Sequence, residues 1–120
     1  MITNFEVITC ELSETEKMLL APLIAGLKRR SKSNPITADE IIPNMNRYLN
    51  GKMVDFKLTG ARLRKIVNYI RVNHLLPLMA TSEGYYTAES VDEIKGQIKS
   101  LEERASAIQK AADGLKKFLI

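Results

Sequence analysis

The sequence predicts a mainly α-helical protein with one small β-hairpin, closed by a long C-terminal helix, and three observations carry that expectation. Ser13 with Glu16, Thr37 with Glu40 and Ser90 with Glu93 have capping-box spacing, in which a hydroxyl and a carboxylate satisfy free N–H groups at a helix start. Behind each start, apolar residues recur every three or four positions. Between "LLPLMA" and "YYTA" lies "TSEG", a four-residue connection ending in glycine, which reads as a hairpin.

In chain order, residues 2 to 9 alternate weakly and allow a short strand. A first helix is expected from Ser13 to Arg30, with Leu19, Leu20, Leu23, Ile24 and Leu27 inward; Pro22 removes a backbone donor and predicts a kink or a restart near Ala21. "SKSNP" is a loop, followed by a short strand at Pro35-Ile36. Thr37 opens the second helix, whose stripe is Ile41, Ile42, Met45 and Leu49, with Pro43 predicting a kink or a late start. Asn50-Gly51 signals a turn. Thr59 caps the third helix, which buries Leu63, Ile66, Val67 and Ile70. In the hairpin, Leu76, Leu78 and one of Tyr85 and Tyr86 pack on the helices.

The chain of 120 residues is the size of one ordinary domain. No apolar run nears the roughly 18 residues of a membrane span, and the N-terminus lacks the pattern of a signal peptide. The lone Cys10 has no internal disulfide partner, which suits a reducing cytoplasm, and reads as a small buried hydrophobe. Net charge is +4, unevenly spread. From Lys28 to Arg71 there are eleven Lys or Arg against Asp39, Glu40 and Asp55, or 11 − 3 = +8. A basic middle flanked by acid suggests a surface facing a polyanion, although charged helix faces are commonly just solvated. "KRRSKS" reads equally as a nucleic-acid patch or as cations favoured at a helix C-terminus.

On a helical wheel the third helix turns Ala61, Lys65, Asn68 and Val72 outward, flanked by Arg64 and Tyr69. Gly60 and Ala61 permit close approach to a surface, and the free amides there favour an anion. Where the other capped helices place a glutamate at the third position, this one has Arg62.

These residues resemble a winged helix-turn-helix domain. "YIRVNHLLPLMATSEGYYTAE" is similar to the family's recognition helix followed by a wing hairpin, and "TGARLRKIVNYIR" with "ATSEGYYTAESVDEI" and a closing helix resembles small phage or prophage winged-helix proteins. Asn73-His74 stands where that family commonly has glycine, and "NRYLNGKMVDFKLTG" makes a long turn between helices two and three. The resemblance implies a winged-helix domain over residues 1–89 that binds double-stranded DNA, with helix three in the major groove. Arg64, Lys65 and Asn68 would read base edges; Lys57, Thr59, the Gly60 amide and Arg62 would contact phosphate; Thr81 and Ser82 of the wing would touch backbone or minor groove. Glu83 at the wing tip is an electrostatic objection.

Residues 90–120 carry the strongest pattern. Val91, Ile94, Ile98, Leu101, Ala105, Ile108, Ala112, Leu115 and Leu119 follow alternating spacings of three and four. A helix of about 30 residues is roughly 45 Å long, more than a domain of this size covers, so the seam from Ile98 to Leu119 is expected to meet another copy as a homo-oligomer, most simply a dimer. Ala105 and Ala112 leave parallel and antiparallel pairing open. No phosphate loop, metal-ligand set or nucleophile beside a base is present, so neither an enzyme nor a cofactor or metal site is expected; His74 reads as a helix end. The alternative function is a protein adaptor or assembly factor on the same scaffold, its basic face incidental.

Overall fold

A computed structural model of the chain describes residues 11–119. The strand expected over residues 2 to 9, and Cys10, lie outside the described residues. The described chain divides into two compact units, the first ending at Ala88 and the second beginning at Glu89. It is mainly helical, with one two-stranded antiparallel sheet and a long C-terminal helix.

The first helix is two helices. α1 (Glu14–Met18) starts in a complete capping box, Glu16 N–H to the Ser13 hydroxyl at 3.2 Å and Ser13 N–H to the Glu16 carboxylate at 2.8 Å. The pattern breaks at Leu19, and α2 (Leu20–Leu27) follows at once. Pro22 is the reason: it has no N–H for the Met18 carbonyl, so one rung is missing where the chain turns. α2 also stops short of the expected Arg30, its C-cap being Lys28.

Thr37 and Glu40 form the second complete capping box and open α3 (Ala38–Gly51). Neither late start nor interruption occurs at Pro43. Its ring lies on the exposed side, where water can satisfy the Asp39 carbonyl that loses its partner. Thr59 caps α4 (Gly60–Val72), which buries Leu63, Ile66, Val67 and Ile70 as the spacing predicts. After the Asn73 C-cap, His74 adopts the left-handed conformation at φ 56°, doing with an exposed imidazole what glycine does at such a stop.

The hairpin pairs β1 (Leu78–Thr81) with β2 (Gly84–Thr87) in the register Leu78↔Thr87, Met79↔Tyr86, Ala80↔Tyr85, Thr81↔Gly84. Thr81 and Gly84 are themselves paired, so the loop is only Ser82-Glu83. Ile36, in the segment before α3, bridges the outer edge of β2 through Ile36 N–H to the Tyr85 carbonyl at 2.9 Å and Tyr85 N–H to the Ile36 carbonyl at 2.7 Å. Gly84, at φ 131°, allows that approach: a Cβ there would stand 2.5 Å from the Ile36 carbonyl oxygen. Thr87 ties β2 to the end of α2, its hydroxyl donating to the Leu27 carbonyl at 2.7 Å and its N–H to the Arg30 carbonyl at 3.1 Å.

One core joins these elements. Leu19, Leu49, Leu58, Leu63, Ile66, Ile70 and Leu78 are its fully buried large side chains, and Tyr85 packs half-buried against it. Each contributes about 1.5–3 kcal/mol relative to exposure. Of the two tyrosines Tyr86 is the buried one, paired with buried Met79 on the hairpin's other face.

The second unit is α5 (Val91–Lys116) and a closing 3₁₀ turn, Lys117–Leu119; none of its residues is buried. Its capping box is altered. The Ser90 hydroxyl accepts from Glu93 N–H at 3.2 Å, but the Glu93 carboxylate bonds the N–H of Glu89, at 3.4 Å, and the Ser90 hydroxyl itself.

Gly84→Ala is expected to cost about 2 kcal/mol or more, from positive φ and collision with the Ile36 carbonyl, read as a lower denaturant midpoint. His74→Gly is expected to gain about 0.5–1 kcal/mol, because glycine reaches the left-handed region without the Cβ penalty.

Candidate nucleic-acid interface

The connection from α3 to α4 is long but tightly held. Val54 N–H returns to the Leu49 carbonyl at 3.0 Å, past Met53 at φ 58°. Asn46 then brackets Leu58: its side-chain oxygen accepts from Leu58 N–H at 2.8 Å, and its amide nitrogen donates to the Leu58 carbonyl at 3.4 Å. Leu58 is thereby pressed into the core, 1% exposed, immediately before the cap. The Asn46 amide acts as a strand partner would, satisfying both backbone groups of one residue.

Arg62 closes the same turn. Its backbone N–H caps onto the Thr59 hydroxyl at 3.3 Å, its guanidinium donates to the Lys57 carbonyl at 2.7 Å, and the same group lies 4.5 Å above the centre of the Phe56 ring. A planar cation with five N–H groups can do this and keep donors for another partner. Nearby, Lys52 stands over the Tyr48 ring at 5.4 Å.

The first turn of α4 holds no acid, whereas α1, α3 and α5 carry Glu14 and Glu16, Asp39 and Glu40, and Asp92 and Glu93. Lys57, Thr59, Ala61, Arg62 and Arg64 are exposed around it, and Gly60 is half-buried. Arg64 has no hydrogen bond or ion pair among the described residues; its guanidinium lies back over Gly60, 3.5 Å from where a Cβ would be. The positive end of the helix and three cations therefore share one small surface.

Lys65 departs from the outward placement read from the wheel. Its ammonium lies 2.8 Å from the Glu16 carboxylate, with the two side chains 17% and 4% exposed. The long stem folds toward α1, so this charge neutralises an internal acid and is withdrawn from the outer surface. Asn68 is half-buried and already engaged within the protein. Arg71 donates to the Leu78 carbonyl at 2.9 Å and fastens α4 to β1. The exposed patch is thus the N-terminal turn and a half of α4 rather than its whole length.

Thr81, Ser82 and Glu83 are exposed at the hairpin tip. The Thr81 hydroxyl is used inside the turn, accepting from Glu83 N–H at 3.2 Å and donating to the Gly84 carbonyl at 3.4 Å. Eight of the eleven cations between Lys28 and Arg71 remain exposed, including Lys28, Arg29 and Lys32 of the run after α2.

Two residues that shape the site, Asn46 and Glu16, escape the sequence reading. Glu16 is visible there as a cap but not as the partner of Lys65. Burial pushes its carboxyl up, and against that the Lys65 hydrogen bond and charge, with the Ser13 backbone and hydroxyl bonds, hold it below its ordinary value of 4.5. Among the described residues there is no cluster of acids, histidines or cysteines able to hold a metal, and no helix long and apolar enough to cross a membrane. Comparison with protein-family models, curated proteins and solved structures finds no match.

Because the Glu16 pKa is depressed in the folded state, the stability it contributes is present above pH 4.5 and is lost as pH falls through the folded value. Lys65→Met is expected to cost about 1–3 kcal/mol at neutral pH by leaving a buried carboxylate without its cation. It also removes the Lys65 hydrogen bond and charge, leaving only the Ser13 bonds to oppose the upward push of burial. The acid loss of stability should therefore begin at higher pH than in the native chain, as urea unfolding across a pH series will show.

Proposed function

We propose that the chain binds double-stranded DNA as a winged-helix reader, with the N-terminal turn of α4 entering the major groove. The observation that carries the proposal is that turn: a helix start without acid, ringed by exposed Lys57, Arg62 and Arg64, with small Ala61 foremost. The order of elements supports it. A helical pair, the Ile36 segment bridging β2, α3, a turn, α4 and a hairpin follow one another as in winged helices. Recognition helices of this kind touch base edges mainly with their N-terminal residues, which is the part of α4 that lies open.

Arg64 is assigned the base contact, since a free guanidinium can give guanine two hydrogen bonds. Lys57, the remaining donors of Arg62 and the amides at Thr59 and Gly60 are assigned to phosphate, fixing register without carrying sequence information. Lys65 serves indirectly by neutralising Glu16, and Asn68 receives no base contact. Glu83 would be repelled by phosphate, so the hairpin tip stands clear of the backbone, and its Thr81 and Ser82 have at most a minor share. The resemblance to phage and prophage proteins extends the proposal to a regulator of transcription or replication acting in the cytoplasm.

Fluorescence anisotropy with random-sequence and selected duplexes tests this. Affinity is expected to fall steeply with salt, the logarithmic slope being about −0.9 for each phosphate neutralised. Lys57→Ala should reduce that slope by about one on every duplex. Arg64→Ala should cost about 1–3 kcal/mol on the preferred duplex and relax preference at one base pair. Absence of binding, or binding indifferent to salt and to both substitutions, would reject DNA and favour the adaptor alternative.

A further inference from the structure

Every residue from Lys99 to Leu119 is exposed, and Ile108 and Leu115 of the helix with Phe118 and Leu119 of the closing turn are 71%, 69%, 85% and 84% exposed large apolar side chains. Helices in proteins draw most of their stability from packing of an apolar face, and a contiguous exposed patch of this kind marks an interaction surface.

We infer that residues 101–119 pair antiparallel with the same segment of a second copy of this chain, about a two-fold axis beside Lys110. The charge pattern selects this partner and this register. With the axis there, Leu101 meets Leu119 of the second copy, Ala105 meets Leu115 and Ile108 meets Ala112, so each small residue receives a large one. At the flanks, Glu102 faces Lys116 of the second copy and Arg104 faces its Phe118 ring, each contact made twice by symmetry. Gln109 and Ala111 meet their own equivalents on the axis. Every flanking contact is an opposite charge pair, a cation on a ring or neutral.

Other pairings of the same seam are poorer. Parallel in-register helices set Glu102 against Gln97, Arg104 against Gln109 and Lys116 against Ala111, with no opposite charges in contact. Sliding the antiparallel pair toward its N-termini by successive steps places Lys95 on Lys116, and then Arg104 on Arg104 with Glu102 on Glu102. A further step joins Lys95 to Glu102 but leaves Leu115 and Leu119 uncovered. The proposed register uses the wholly exposed stretch. Among the described residues Lys116 makes only an exposed contact with Asp113, at 3.5 Å, which the intermolecular pair replaces at little cost. The outermost layer requires the closing turn Lys117–Leu119, wound as 3₁₀, to continue as α-helix.

Sedimentation equilibrium of the full chain over a wide concentration range tests the inference. The native chain is expected to be a reversible dimer. Glu102→Lys alone, or Lys116→Glu alone, places like charges together twice and should weaken dimerisation roughly tenfold; the double swap E102K/K116E restores both pairs and should restore affinity. The changed side chains are exposed, and recovery in the double variant shows that the single variants fail through charge and not through folding. A native chain that stays monomeric throughout overturns the pairing. A double swap no better than either single variant overturns the antiparallel register, because only there do Glu102 and Lys116 face each other. This outcome is independent of DNA binding, which Arg64 and Lys57 report separately.

Discussion

The contact of Gly84 with Ile36 fixes the first unit. Two backbone hydrogen bonds join Ile36 to Tyr85, and they form only because the neighbouring residue carries no Cβ to strike the Ile36 carbonyl. That one approach attaches the hairpin to the segment between α2 and α3, and Thr87 repeats the attachment at the end of α2. Leu78 and Tyr85 then complete the core from the sheet side, while Arg71 fastens α4 to β1. A hairpin of two four-residue strands is marginal alone; here helices on one side and a bridging segment at its edge hold it in register.

Electrostatics divides α4 lengthwise. At its middle, Lys65 is drawn to a carboxylate that also caps the start of α1, so a single acid opens one helix and anchors another. At its start no acid intervenes, and the cations there meet solvent. The Lys65 charge is thus placed by its desolvated partner rather than by its angle on a wheel. The wheel correctly identified the buried stripe, because burying four apolar side chains outweighs everything else on that helix.

Local chemistry was legible in the sequence and contacts between distant residues were not. Ser13/Glu16 and Thr37/Glu40 declare their helices because both partners lie within four residues, and the α4 stripe follows from spacing alone. The Ser90 box was legible as a start but not in detail, since Glu93 selected the N–H of Glu89. Glu16 with Lys65 and Asn46 with Leu58 join residues 49 and 12 positions apart, and no neighbouring residue announces either. Pro22 and Pro43 show the same limit from another side. Identical chemistry stands beside a break in one helix and passes through another, and the sequence around each proline does not say which will happen. Of the candidate site, Lys57, Arg62 and Arg64 were named through the winged-helix resemblance; that Arg62 is also a fastener was not legible.

The clasp of Asn46 on Leu58 and of Arg62 on Phe56 and the Lys57 carbonyl has a thermodynamic consequence. A turn of this length, left loose, would surrender its freedom when it met a ligand, and the loss would be subtracted from affinity. Held as it is, the ordering has already occurred during folding, and the surface arrives at any encounter preorganised.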